Sequence, residues 1–131
     1  MKTTLFLTTL FAALALNAAT LADNMKTIAL ELRAISQNVG NAARNVESSA
    51  SAEKIAQAFL AGKAQPPVTV TELPAAEQGE ALKRYEQLMQ DAANLAQELT
   101  VALRENRNQD AQTILARLME MRKVGHTEFK P

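Results

Sequence analysis

The sequence predicts an all-α fold, an antiparallel four-helix bundle with up-down-up-down topology. Glycine and proline number four each among the 131 residues, aromatic residues make up 4%, and alanine, leucine and long unbranched side chains dominate. This composition favours helices over sheets. Four stretches carry apolar residues at helical spacing, and the last two are joined by a short connection, which favours antiparallel neighbours. The length suits one domain with its own core.

The start of the chain resembles an export signal. Lys2 provides a positive charge, residues 5–16 form an apolar run, and small residues follow. This pattern is typical of a secretory signal peptide, and the run is short for a membrane span. We therefore predict a signal at 1–18 and a mature domain at 19–131. Cleavage after Ala22, or retention of the segment as a membrane anchor, are the alternatives.

Charge and motif content exclude several classes of function. Acidic and basic residues balance at 14 each, so no basic field attracts nucleic acid or an anionic membrane. The absence of cysteine excludes disulfides and thioether-linked haem. No Gly-rich phosphate loop, paired zinc-binding histidines or Ser-His-acid set is present. We expect a protein that is not an enzyme, binds no nucleic acid and, once the signal is cleaved, associates with no membrane.

The first helix is predicted from Asp23 onward. Asp23 or Asn24 serves as its cap, and Gly40-Asn41 offers a stop. Its apolar residues recur in steps of three and four, which places them on one stripe. They are Met25, Ile28, Leu32, Ile35 and Val39.

The second helix is predicted from Ser51, with residues 42–49 as a possible N-terminal extension. Gly62 and the pair Pro66-Pro67 end it, because proline cannot continue a helix. Residues 68–74 are predicted as an extended crossing loop.

The third and fourth helices follow with a polar break at residues 106–108. The third has a near-heptad stripe, and the fourth leads toward His126. The third stripe comprises Tyr85, Leu88, Ala92, Leu95, Leu99 and Ala102. The fourth comprises Ala111, Ile114, Leu115, Leu118 and Met121.

His126, the single histidine, and Met25 are the candidate ligands. Taken alone, His126 is open to several interpretations: a solvated group that suits the helix dipole, a pH-sensitive surface group, or a metal or haem ligand. Met25 alone suits core packing as well as ligation. An even number of alternating helices returns the last helix end to the level where the first began. A haem between these two helices could then take a thioether from one side and an imidazole from the other.

Several segments resemble the cytochrome b562 family of small periplasmic four-helix haem proteins. The matching segments are Ala19 to Thr27, which includes Asp-Asn-Met, then Lys63-Ala-Gln-Pro-Pro67, Asp110-Ala-Gln112, and the ungapped stretch from Tyr85 to His126. The resemblance implies a periplasmic electron carrier with one non-covalent b-type haem. It also implies Met25 and His126 as axial ligands of the iron. We expect a monomer whose partners are redox proteins.

Further contacts to the haem follow from the same resemblance. Arg122, one turn from His126, matches the family's arginine and suits a haem propionate, with a surface ion pair as the alternative. Lys130 stands where a second arginine is usual and offers a point charge. Gly125 replaces a bulky residue, which favours a looser pocket. The expected apolar contacts are Leu118, Met89, Tyr85, Ile28 and Pro67, of which Tyr85 and Met89 replace aromatic residues of the family.

The competing interpretation is a haem-free exported bundle. It would bind a soft metal such as copper through Met25, Met119, Met121 and His126, or act as an interaction module. The two-residue spacing of Met119 and Met121 places them on different helix faces, so both cannot easily join His126.

Overall fold

The computed structural model describes residues 19–130, which are helical with connecting turns. The predicted signal at 1–18 lies outside these residues. The helices are α1 (Leu21–Asn38), a 3-10 turn (Ala42–Arg44), α2 (Asn45–Lys63), the single turn α3 (Val68–Thr71), α4 (Ala75–Arg104) and α5 (Asn108–Phe129). The prediction of an all-α fold with four long helices is confirmed.

The start of α1 is set by Thr20, and the prediction of Asp23 or Asn24 as its cap is wrong. The Thr20 hydroxyl accepts from the Asp23 N–H, and the Asp23 carboxylate accepts from the Thr20 N–H, both at 3.1 Å. This reciprocal pair satisfies two amides that have no partner within the helix. The hydrogen bond from the Thr20 backbone lowers the pKa of Asp23. Asn24 is instead buried, and its side chain donates to Gln65 Oε1 at 2.9 Å.

The helix α2 begins at Asn45, six residues before the predicted start at Ser51. This start falls within residues 42–49, which were predicted as a possible N-terminal extension of the helix. The prediction of an extended loop at residues 68–74 is also wrong, because the turn α3 interrupts it. The Pro67 carbonyl accepts from the N–H groups of Val70 and Thr71 at 2.9 and 3.1 Å. Val70 is 3% exposed, so burial of its side chain stabilises this turn.

The helix α4 begins at Ala75, immediately after Pro74, and so extends ten residues before the first residue of its predicted stripe, Tyr85. Its 30 residues span about 45 Å at about 1.5 Å per residue. Asn106 ends it in a left-handed conformation with φ of 57°, which asparagine tolerates better than most residues. The helix α5 then starts at Asn108, in agreement with the predicted polar break.

Three asparagines join four chain segments at one end of the molecule. The Asn45 side chain donates to the side-chain oxygens of Asn106 and Asn108, both at 2.9 Å. Asn108 in turn donates to the Val39 carbonyl at 2.7 Å. We call Asn45, Asn106 and Asn108 the asparagine cluster. It links the end of α1, the start of α2, the end of α4 and the start of α5.

The core lies along α2 and α4, which pack extensively against each other. The helix α2 also packs on α1, and α4 on α5, whereas α1 and α5 contact each other sparsely. The largest fully buried side chains are Ile28, Ile35, Ile55, Leu99, Leu103 and Leu118. Within residues 19–130, no helix is both long and apolar enough to cross a membrane.

Candidate functional site

An apolar cavity is lined by α1 and α5, two helices that make few contacts with each other. Its volume of about 570 Å³ falls in the range of small-molecule and cofactor sites. The start of α1, the middle of α4 and the end of α5 supply most of its lining. Seven of the eight predicted site residues line it: Met25, Ile28, Pro67, Tyr85, Met89, Arg122 and His126.

Leu118 is the predicted site residue that the structure does not bring to the cavity. Its exposure is 0%, and it belongs to the hydrophobic core. The lining contributed by α5 begins at Met121 instead.

Tyr85 is held rigidly against the end of α2. Its hydroxyl donates to the carbonyls of Gly62 and Gln65 at 2.6 and 3.2 Å. The ring meets Phe129 edge to face, with centroids 5.3 Å apart. Burial raises the pKa of Tyr85 to about 12, because desolvation disfavours the charged phenolate.

Gly62 allows two methionine side chains to approach the backbone of α2. A Cβ atom at this position would lie 2.7 Å from Met89 Cε and 3.4 Å from Met25 Cε. The methyl ends of both side chains therefore lie close together beside Gly62. On α5, a Cβ at Gly125 would lie 3.0 Å from Leu88 Cδ2, so Leu88 fills the space left by the missing side chain.

Three cationic side chains belong to the cavity lining. Lys26 and Lys130 are exposed, and Arg122 is partly buried. None of the three forms an ion pair with another residue in the range 19–130. Among the described residues, no Asp, Glu or Cys lines the cavity. The site therefore combines an apolar interior with a positive rim formed by these three side chains, which suits an amphipathic anion.

His126 is partly buried, and its pKa is lowered from the ordinary value of 6.5. Desolvation is the main cause, followed by the positive charges of Arg122 and Lys130. Both effects disfavour the protonated ring. The imidazole therefore stays neutral, and able to bind a metal through a ring nitrogen, to a lower pH than a free histidine.

We expect Arg122→Gln to raise the pKa of His126 in the haem-free protein, because it removes one of the two positive charges that oppose protonation. Arg117→Gln, on the exposed part of α5, is the matched control and should leave this pKa unchanged. The measurement is an NMR titration of the imidazole C–H signals. A pKa that does not move in Arg122→Gln would contradict the electrostatic contribution.

Sequence reasoning missed several lining residues. Phe59 on α2, Leu88 on α4 and Phe129 on α5 also line the cavity. Phe129 follows His126 by three residues, so helical periodicity could have found it. Leu88 was identified as an apolar stripe residue of the third helix but not as a site residue. Of the three methionines in the copper interpretation, Met25 and Met121 line the cavity, whereas Met119 is 47% exposed and contacts Ser36.

The donors in this site also limit the metals that fit. Within residues 19–130, no group of three or more His, Cys, Asp or Glu side chains is placed to hold a metal ion. The available donors are one imidazole and the thioethers of Met25, Met89 and Met121. Such donors suit the iron of a haem or a soft ion, and not a hard divalent cation.

An interhelical apolar cavity with a methionine, a histidine and a cationic rim is typical of a helical bundle that binds haem. The chain belongs to the cytochrome b562 family, whose sequence model matches residues 20–130. Comparison with curated proteins and with solved structures gave no match. The cytochrome b562 family consists of periplasmic electron carriers that are not typically enzymes, and family membership implies a b-type haem as the cofactor.

Proposed function

We propose that this chain is a periplasmic electron carrier that holds one non-covalent b-type haem, with Met25 and His126 as axial ligands. The observation that supports this most directly is the position of these two residues. They lie on different helices, near the start of α1 and the end of α5, and line the same apolar cavity.

The up-down-up-down topology of the four long helices is part of this proposal. At one end, Asn24 near the start of α1 bonds to Gln65 just after α2. At the other end, the asparagine cluster joins the end of α1 to the start of α2, and the end of α4 to the start of α5. These links support antiparallel neighbours, which return the end of α5 to the level of Met25.

Different residues of the cavity would contact different parts of the cofactor. Tyr85, Met89, Ile28 and Pro67 exclude water from the macrocycle, and Tyr85 is fixed by its hydrogen bonds to α2. Arg122 offers a planar guanidinium that suits a propionate, and Lys130 and Lys26 add point charges. Leu118 supports these positions from the core.

The ligand pair determines the type of activity. A bound b-type haem supplies reversible one-electron redox chemistry at its iron. Met25 and His126 would both bind its iron, which would leave no coordination site open for oxygen or a substrate, and the thioether would favour a raised reduction potential. The chain therefore transfers electrons and does not catalyse a reaction of its own.

Export and assembly state complete the proposal. The predicted signal at 1–18 would direct the mature domain, 19–131, to the periplasm, where its family acts. We propose that it is monomeric there and exchanges electrons with partner redox proteins, with no stable association with membrane or nucleic acid.

The mature protein, titrated with haem, should give one low-spin, six-coordinate complex per chain in visible absorption spectra of both redox states. Acidified organic solvent should then extract all of the haem, because the chain has no cysteine to tether it. A stable high-spin spectrum would rule out ligation by both side chains.

A further inference from the structure

Methionine is concentrated at the cavity. Residues 19–130 contain four methionines, and Met25, Met89 and Met121 all line the same cavity as His126. The fourth, Met119, lies on the exposed surface of α5. Three of these four thioethers therefore line the same cavity as the one imidazole of the chain.

Two of the thioethers are brought together by a specific feature of α2. Met25 Cε and Met89 Cε lie 3.4 and 2.7 Å from the position that a Cβ would occupy at Gly62. A side chain at this position would therefore displace Met89. Met25 comes from α1 and Met89 from α4, so the two donors converge from different helices.

The chemistry of these donors selects a soft monovalent ion. Thioethers and imidazole bind Cu(I), whereas hard divalent ions require carboxylates or carbonyl oxygens. No acidic side chain of the described chain lines the cavity. Lys26, Arg122 and Lys130 repel any cation, and the Coulomb energy of this repulsion is twice as large for a divalent ion as for Cu(I). Soft donors and a positive rim together disfavour Zn²⁺, Mg²⁺ and Ca²⁺.

We propose that the haem-free protein binds one Cu(I) ion in this cavity, through the thioethers of Met25, Met89 and Met121 and the imidazole of His126. The proposal rests on the proposed haem site in one respect. Since Met25 and His126 would serve both ligands, copper and haem would exclude each other. Copper occupancy would then keep the apoprotein from loading its cofactor.

The test uses the haem-free mature chain, with Cu(I) kept reduced by ascorbate under anaerobic conditions and a chromophoric Cu(I) chelator as competitor. We expect one ion per chain. Leucine replaces methionine at similar volume, so Met25→Leu, Met89→Leu and Met121→Leu should fold, as checked by circular dichroism. Each should weaken Cu(I) binding at least about tenfold, because even indirect support of a ligand is worth about 10- to 100-fold in metal affinity.

Met119→Leu is the matched control, since it removes a thioether from α5 outside the cavity, and it should bind Cu(I) like the wild-type chain. Equal weakening in this control, or wild-type affinity in the three cavity variants, would overturn the proposal. Added haem should release copper in equal amount, and a protein holding both ligands would also overturn it. The copper titration contains no haem, so its result does not depend on whether the protein binds haem. A separate haem titration shows whether the proposed haem site is wrong.

Discussion

His126→Ala should lose most of the haem affinity of the protein, and this is the largest effect we expect from any single substitution. Imidazole is the stronger of the two proposed ligands, and no other histidine can replace it. Met25→Ala should bind more weakly than wild type but measurably, with a lowered reduction potential, because the thioether is the ligand that raises it. Haem titration by visible absorption gives the affinities, and redox potentiometry gives the potentials.

Two control substitutions on α5 distinguish the loss of a ligand from a general destabilisation of the bundle. Met119→Ala removes an exposed methionine of α5 that does not line the cavity, and Thr127→Ala changes an exposed residue beside His126. Both variants should keep wild-type spectra. If Met25→Ala and His126→Ala also kept them, neither residue would be an axial ligand.

The helices were predictable because their apolar stripes are regular, but their boundaries depend on contacts that periodicity does not encode. Thr20 precedes the first stripe residue and acts through a reciprocal bond with Asp23. The turn α3 forms because Val70 is buried against the rest of the chain, which overrides the extended tendency of the residues around Pro67. The early part of α4 has few buried residues, so its stripe gives little signal before Tyr85.

The candidate site was predictable where sequence order and helix geometry were enough. Met25 and His126 were identified by bundle geometry and by the family resemblance, and Arg122 by the resemblance. All three line one cavity. Leu118 lies on the same helix as His126, but its side chain is buried in the hydrophobic core and does not line the cavity. The role of Gly62 could not be predicted, because it depends on Met25 and Met89 approaching from two other helices.

Haem binding should raise the stability of the protein and reduce opening mainly at one end of it. A ligand that binds only the folded state stabilises it by about 2.7 kcal/mol when its free concentration is about 100 times Kd. This is large beside a typical unfolding free energy of roughly 5 to 15 kcal/mol. The haem-free protein should keep most of its helices, because its core is buried without the cofactor, but melt at a lower temperature.

The two ends of the molecule provide an internal comparison for that effect. Near Met25 and His126, contact between α1 and α5 is sparse and the cavity replaces core packing. At the other end, the asparagine cluster ties the helices together with hydrogen bonds that do not involve the cavity. Regions with few buried contacts open first. Hydrogen exchange should therefore show the largest gain in protection at residues 25–32 and 118–128 when haem is added. An equal gain around the asparagine cluster would mean that the haem does not lie between Met25 and His126.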